Sequence, residues 1–157
     1  MSNMMLLAAM LAVSAPPGTV RRSGPEQSPI ATSVSVPAEA RLVYVSGTVP
    51  DAVDETAAKG SVRRFGDTEA QTRSILAKIA KVLEAEGLGL GDVVMMRVFL
   101  VAPPGQDRMD FAGMMRGYSA FFGTKDQPQK TARSTMQVAG LVDPGWLVEI
   151  EVTAARR

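Results

Sequence analysis

The spacing of hydrophobic and polar positions changes along the chain, and each spacing predicts a type of element. Over 68–86 the apolar residues recur at steps of three and four, which predicts an amphipathic helix ending at Gly87. Thr68 with Gln71 predicts a capping box at its start. A second helix is predicted over 110–122, with an apolar stripe formed by Phe111, Met114, Met115, Tyr118, Phe121 and Phe122.

Runs rich in β-branched residues predict strands around these helices, at 33–36, 41–46, 93–101, 133–138 and 147–153. The 93–101 run is apolar at nearly every position, which is typical of a strand buried on both faces. The last strand alternates instead, so Glu149 and Glu151 lie on the face opposite Val148, Ile150 and Val152.

Two helices can cover only one face of the predicted sheet. The element order is strand, strand, helix, strand, helix, strand, strand, which indicates an α+β fold. The second apolar face of the 93–101 strand then needs a cover, and another subunit is the natural one. We therefore expect an obligate oligomer.

The first 29 residues precede this pattern. Residues 4–15 form an uncharged apolar run that is too short to span a bilayer and ends in small residues. We interpret 1–15 as a secretory signal peptide, which would export the protein to the periplasm; the alternative is a tail or a mis-called start codon on a cytoplasmic protein. Prolines, glycine and serine predict a flexible linker over 16–29, leaving 30–157 as the folded domain.

Composition restricts the chemistry. The chain has 157 residues, 46% of them apolar, and a net charge of +1, so no basic field favours a nucleic-acid partner. It contains no cysteine and no histidine. Thiol nucleophiles, thiolate or histidine metal sites, Ser-His-Asp hydrolases and histidine-pair ribonucleases are thereby excluded. Acid–base chemistry must come from other side chains, the backbone or water.

Charges inside runs of otherwise apolar or small residues, 131–135 and 146–152, are the candidate site. Arg133 opens one strand, and its planar fork of donors suits a carboxylate. The functional interpretation is a pocket in which Arg133 binds an anionic substrate and a glutamate handles water or a proton. The structural alternative is an ion pair between Arg133 and Glu149 or Glu151, or simple exposure at a strand end. Ser46 and Gly47 either line the ligand or merely end a strand.

Several short motifs resemble the RidA family, also called YjgF or L-PSP, and they cover about 30–157 in the family's order. They are Val43-Tyr44-Val45-Ser46-Gly47, Gln71-Thr72, Gly87-Leu88, Asp92-Val93-Val94, Tyr118-Ser119-Ala120-Phe121-Phe122, Ala132-Arg133-Ser134 and Val148-Glu149-Ile150-Glu151.

The resemblance implies a chorismate-mutase-like fold with a mixed, mainly antiparallel sheet, two helices packed on one face, and a homotrimer whose sheets form a barrel with clefts between subunits. It implies hydrolysis of reactive 2-imino and enamino acids to 2-keto acids and ammonia, with no metal and no organic cofactor. Arg133 would bind the substrate carboxylate, and Glu149 would position water from across the interface. The remaining residues that would bind substrate are Ser46, Gly47, Ser134 and Tyr118.

Three positions depart from the family pattern. A cleft tyrosine falls on Ser33, an asparagine falls on Met115, and a proline before Arg133 is Thr131. The first two changes remove polar contacts from the pocket. They leave a second interpretation open, in which the cleft binds or senses a small carboxylate without turnover. An endoribonuclease is disfavoured, because the chain has no histidine and no basic field.

Overall fold

The computed structural model describes residues 18–156, which form two sheets and three α-helices. A four-stranded sheet has the order β3-β6-β4-β5, and a separate two-stranded sheet joins β1 and β2. The β3/β6 and β4/β6 pairs are antiparallel and the β4/β5 pair is parallel. The strands are β1 (Arg21–Ser23), β2 (Ser33–Ser35), β3 (Arg41–Thr48), β4 (Val93–Leu100), β5 (Ala132–Gln137) and β6 (Val148–Arg156). The helices are α1 (Val62–Phe65), α2 (Thr68–Ala85) and α3 (Phe111–Tyr118).

This arrangement confirms the predicted α+β fold and its mixed, mainly antiparallel sheet. The predicted strands and both long helices are present, in the predicted order. Three elements were not predicted: β1 lies in the predicted linker, α1 lies in a stretch interpreted as loop, and a 3-10 helix (Leu90–Asp92) precedes β4. No helix among residues 18–156 is long and apolar enough to cross a membrane.

Helix α2 packs on the sheet through the predicted apolar stripe. Its fully buried members are Ile75, Leu76, Ile79 and Leu83, and each such side chain contributes about 1.5–3 kcal/mol by leaving water. Gly87, at φ 71°, ends the helix in the left-handed region as predicted.

The predicted capping box at the start of α2 is wrong. Asp67 is the N-cap residue, and its side chain accepts from the Ala70 amide at 2.8 Å. Gln71 is fully buried, and its side chain forms hydrogen bonds with the segment before β6 instead. It accepts from the Leu147 amide at 2.7 Å and donates to the Gly145 carbonyl at 3.0 Å. Gln71 therefore ties α2 to the start of β6, two residues before Glu149.

Helix α3 is shorter than the predicted 110–122, because it ends at Tyr118. Asp110 caps it by accepting from the Gly113 amide at 2.8 Å. The amides of Phe121 and Phe122 both return to the Tyr118 carbonyl, so the chain turns there while Phe122 stays in the core.

The N-terminal hairpin differs from the flexible linker predicted over 16–29. β1 pairs with β2, and Arg22 donates to the carbonyls of Gly91 and Val93 at 2.8 and 3.2 Å. These partners are remote in sequence, which is why local composition did not reveal them. The predicted signal peptide, 1–15, lies outside the described residues.

One face of the four-stranded sheet is uncovered, as predicted. On β4 the residues facing the helices are fully buried, namely Met96, Val98 and Leu100. The alternate residues Met95 and Phe99 are half-buried and Arg97 is exposed. Strand β4 is therefore buried on one face within a single chain, and its second face remains available.

Candidate functional site

Arg133 lies on β5, at the edge of the four-stranded sheet. Its register partner on β4 is Met96, which in turn pairs with Val152 on β6. Laterally paired residues place their side chains on the same face of a sheet. Because Met96 and Val152 belong to the core under the helices, the Arg133 side chain points to the helix-covered face.

The Arg133 guanidinium lies over the ring of Tyr118, with Cζ 4.3 Å from the ring centroid. Such cation–π contacts contribute about 0.5–2 kcal/mol. Its Nη2 is 3.1 Å from the sulfur of Met115, and its Nη1 is buried without a hydrogen-bond partner among the described residues. Burial lowers the pKa of Arg133, yet a guanidinium stays protonated at neutral pH.

No carboxylate pairs with this cation in the part of the chain that the structure describes; the ion pairs found there involve other residues. The thioether and the aromatic ring that contact this half-buried guanidinium carry no negative charge to compensate it. An anion that reached it would gain charge-assisted hydrogen bonds.

Tyr118 packs its ring against the Arg133 guanidinium and is itself held in place. Its ring stacks on Phe122 with centroids 4.9 Å apart, and its hydroxyl donates to the Pro29 carbonyl at 3.1 Å. Burial raises the pKa of Tyr118 to about 12. The side chain is only 1% exposed, so we assign it to holding Arg133 in place rather than to the predicted contact with substrate.

Glu149 lies on the uncovered face of the sheet, paired with Phe99 of β4. Its carboxylate sits against Gly47: a Cβ added there would be 2.0 Å from Glu149 Oε1. Gly47 falls where the pairing of β3 with β6 shifts register, between Val45 and Thr48. The missing side chain at Gly47 therefore makes room for the glutamate.

Arg133 and Glu149 are on opposite faces of the sheet. Arg133 is level with Val152, three residues along β6 from Glu149 and two strand spacings away, which separates their Cα atoms by roughly 14 Å. The alternative interpretation, an ion pair between Arg133 and Glu149 or Glu151, is wrong. Glu151 pairs instead with Arg97, at 2.5 Å.

The other predicted site residues share the face of Glu149. Ser134 is the register partner of Arg97 on the uncovered side. Ser46 borders a depression of about 210 Å³ on that face, together with Tyr44, Arg97 and Glu151. The predicted residues thus form two groups: Arg133 with Tyr118 on one face, and Ser46, Gly47, Ser134 and Glu149 on the other.

The sequence placed Met115 in the apolar stripe and at the pocket, where it replaces an asparagine, but did not reveal its contact with Arg133. Its i, i+3 spacing from Tyr118 was the available signal. Ser33, noted for the lost tyrosine, lies in the hairpin with its hydroxyl 2.8 Å from that of Ser23. Pro29, four residues earlier, is what reaches Tyr118.

No group of three or more acidic side chains able to hold a metal ion occurs within residues 18–156. The two groups of site residues instead offer a cation on one face and a carboxylate beside a backbone bulge on the other. Together they can bind an anion and orient a polar molecule such as water, provided that two copies of the chain meet.

Comparisons with known proteins agree with this fold. The sequence model of a family described as Endoribonuclease L-PSP matches residues 26–156. The 3-aminoacrylate deaminase RutC of Acinetobacter baylyi is 35% identical over 132 residues, which are 83% of this chain and 93% of RutC. The YjgF gene product of E. coli is 30% identical with a TM-score of 0.57, covering 87% of this chain and 99% of that one. E. coli TdcF, solved with bound serine, is 27% identical with a TM-score of 0.59, covering 87% and 99%.

Proposed function

The chain belongs to the L-PSP family, also called RidA or YjgF, and we propose that it hydrolyses reactive 2-imino and enamino acids to 2-keto acids and ammonia. The relative RutC is named for deamination of an enamino acid, 3-aminoacrylate. TdcF binds serine, which also carries a carboxylate. These relatives support deamination of small enamines or imines, and the more specific substrate class is our proposal.

The observation that carries the proposal is Arg133. It is a half-buried cation whose Nη1 has no hydrogen-bond partner among the described residues and whose Nη2 meets only a thioether. A 2-imino acid presents a carboxylate that a guanidinium can bind through two parallel N–H donors. RNA cleavage is not proposed, because the chain has no histidine and a net charge of only +1.

The main task of the protein in this reaction is to orient the imine and the attacking water. An enamine first tautomerises to the imine. Water then adds to the C=N carbon, its oxygen forming the new C–O bond while the π electrons move to nitrogen. The attacking water loses a proton and the nitrogen takes one up, which gives a neutral carbinolamine. Its amino nitrogen takes up a second proton from solvent; the C–N bond then breaks, ammonia leaves with the C–N electron pair, and the hydroxyl proton passes to solvent as the C=O bond forms. Since the imine is already electrophilic, holding it against an oriented water supplies most of the rate enhancement.

We assign water orientation to Glu149 contributed by a second copy of the chain. Within one chain Glu149 and Arg133 lie on opposite faces of the sheet, so they cannot act on one small substrate. A homotrimer in which the uncovered sheet face of one subunit packs against the β5 edge of the next would join the Glu149 group of one subunit to the Arg133 group of its neighbour. Ser46, Gly47 and Ser134 would line the same cleft.

The test follows ammonia release from 2-iminopropanoate and 2-iminobutanoate, generated in situ by an amino-acid oxidase. The wild-type protein should accelerate release beyond the spontaneous rate, and Arg133→Ala should lower kcat/KM on the order of 100-fold, because the carboxylate loses its charge partner. Arg63→Ala, at a side chain that is 80% exposed, is the matched control and should behave like wild type.

Two results would contradict the deaminase. One is a wild-type rate equal to that of buffer; the other is an Arg133→Ala variant indistinguishable from wild type. Thermal stabilisation by 2-keto acids without any turnover would favour the alternative of a carboxylate-binding module over the enzyme.

A further inference from the structure

The face of α3 next to Arg133 is apolar along its whole length. Phe111, Met115 and Tyr118 follow one another at steps of four and three, so they share this face. Phe111 is 44% exposed, Met115 is half-buried and Tyr118 is 1% exposed. We call Phe111 and Met115 the α3 strip; it runs from solvent down to the Arg133–Tyr118 stack.

The strip touches the anion-binding group. The Met115 sulfur is 3.1 Å from Arg133 Nη2, so a carboxylate bound by this guanidinium must lie beside the Met115 side chain. The substituent on the substrate's α-carbon begins only two bonds beyond the carboxylate oxygens. The apolar surface next to it is Met115, and one turn further out it is Phe111.

Packing of the fold does not account for Phe111. The partly buried apolar residues that pack on the core include Met115 but not Phe111. An aromatic ring that is 44% exposed and aligned with the anion-binding arginine has surface to offer a ligand. Apolar substituents gain by covering such surface, and polar ones lose hydrogen bonds to water there.

We propose that the α3 strip makes the enzyme selective for 2-imino acids with extended apolar side chains, and that Met115 is the residue that determines this preference. The inference rests on the proposed function, since it concerns the same Arg133 site. The side chain lies along Met115 and, when it is long enough, reaches Phe111.

The test uses a series of 2-imino acids generated by an amino-acid oxidase from alanine, 2-aminobutyrate, norvaline and norleucine. For the wild-type protein kcat/KM should rise roughly fourfold for each added methylene. Homoserine provides a control of equal size, because it replaces the terminal methyl of norvaline with a hydroxyl. Its imino acid should react roughly tenfold less efficiently than that of norvaline.

Variants then locate the source of the preference. Met115→Asn should flatten the series and abolish the discrimination between norvaline and homoserine, while Met115→Leu, which keeps an apolar side chain of similar size, should retain both. Phe111→Ser should reduce kcat/KM only for the longest substrate. Met114→Leu is the matched control, since Met114 is fully buried in the core, and it should leave the series unchanged.

The outcomes separate the two proposals. A flat wild-type series, or a Met115→Asn series as steep as that of wild type, overturns the inference while the deaminase stands. If the wild-type protein accelerates ammonia release from none of the substrates and Arg133→Ala gives the same rates, the proposed function itself is overturned. If circular dichroism shows that Met115→Asn does not fold, Phe111→Ser provides the test, because Phe111 is exposed. An unchanged kcat/KM of Phe111→Ser for the 2-imino acid formed from norleucine would then overturn the proposed role of the α3 strip.

Discussion

Among residues 18–156, Arg133 is held by a short chain of contacts rather than by a counter-ion. Its guanidinium lies on the Tyr118 ring, and the Tyr118 hydroxyl donates to the Pro29 carbonyl. A buried hydroxyl without a partner would cost about 1–3 kcal/mol, so the segment before β2 helps to keep the ring in place. This support orients the guanidinium while leaving its charge free for a ligand.

The burial of Tyr118 predicts a loss of stability at alkaline pH. Its pKa is raised to about 12 in the folded protein, against about 10 in an unfolded chain. The folded state therefore holds the phenolic proton more tightly than the unfolded state does. The resulting contribution to the free energy of unfolding, roughly 3 kcal/mol, is fully present below pH ~10 and is lost as pH rises toward 12.

Urea unfolding of wild type and Tyr118→Phe between pH 8 and 11.5 isolates this contribution, since phenylalanine keeps the ring under Arg133 but has no proton to lose. The wild-type free energy of unfolding should fall more steeply with pH than that of the variant. Parallel curves for the two proteins would refute the assignment. Tyr44 does not confuse the comparison, because it is common to both.

At the scale of elements, the position of the Glu149 carboxylate depends on the register shift in the pairing of β3 with β6. Regular pairing with β6 runs to Val45 and resumes at Thr48, and such bulges re-aim neighbouring side chains. Gly47 lies inside the irregular stretch, against the Glu149 carboxylate. The position of the glutamate therefore depends on two strands that are distant in sequence.

Gly47→Ala should impair catalysis more than stability. The added Cβ would lie 2.0 Å from Glu149 Oε1, and the carboxylate must move, because it is the flexible end of its side chain. A displacement of this size is expected to lower kcat on the order of 100-fold, while the free energy of unfolding changes by less than about 1 kcal/mol.

Gly140→Ala is the control for Gly47→Ala, because nothing lies within 4 Å of a Cβ added at Gly140. Ammonia-release kinetics and urea unfolding of both variants provide the comparison. If Gly47→Ala retained the wild-type kcat, the carboxylate beside Gly47 would have no part in the reaction.

At the scale of the whole molecule, the uncovered sheet face is available for contact with another subunit. It also holds the site residues Ser46, Gly47, Ser134 and Glu149. Tyr44 is 74% exposed and Leu42 is 41% exposed on this side, with the Arg97–Glu151 ion pair beside them. Exposed apolar surface of this kind is typical of interfaces with a partner. The helix-covered face instead holds the core and the Arg133 group.

We expect the wild-type protein to sediment as a trimer at micromolar concentration and its melting temperature to rise with protein concentration. Tyr44→Lys should shift the protein toward monomer, because it places a charge in the apolar interface. Val82→Lys, at a residue of α2 that is 44% exposed, should stay trimeric. A stable wild-type monomer in sedimentation velocity would exclude the proposed assembly.

Local patterns were sufficient to predict the long elements but not what their polar residues contact. The stripe of α2 and the alternation of β6 follow from the spacing of apolar residues along single segments. Gln71 was misassigned because two of its three partners, Gly145 and Leu147, are more than 70 positions away; the third is Gly66. The β1 hairpin was missed for the same reason, as Arg22 bonds to carbonyls near the start of β4.

The sequence by itself determined the candidate chemistry: it lacks histidine and cysteine, and it places Arg133 and Glu149 in runs of mostly apolar or small residues. Only the tertiary structure decided that these two residues lie on opposite faces and that Arg133 rests on Tyr118 beside Met115. The physical reason is that spacing along a segment determines which of its faces is apolar. The lateral order of strands and the packing of α3 arise from contacts between remote segments, which no local pattern encodes.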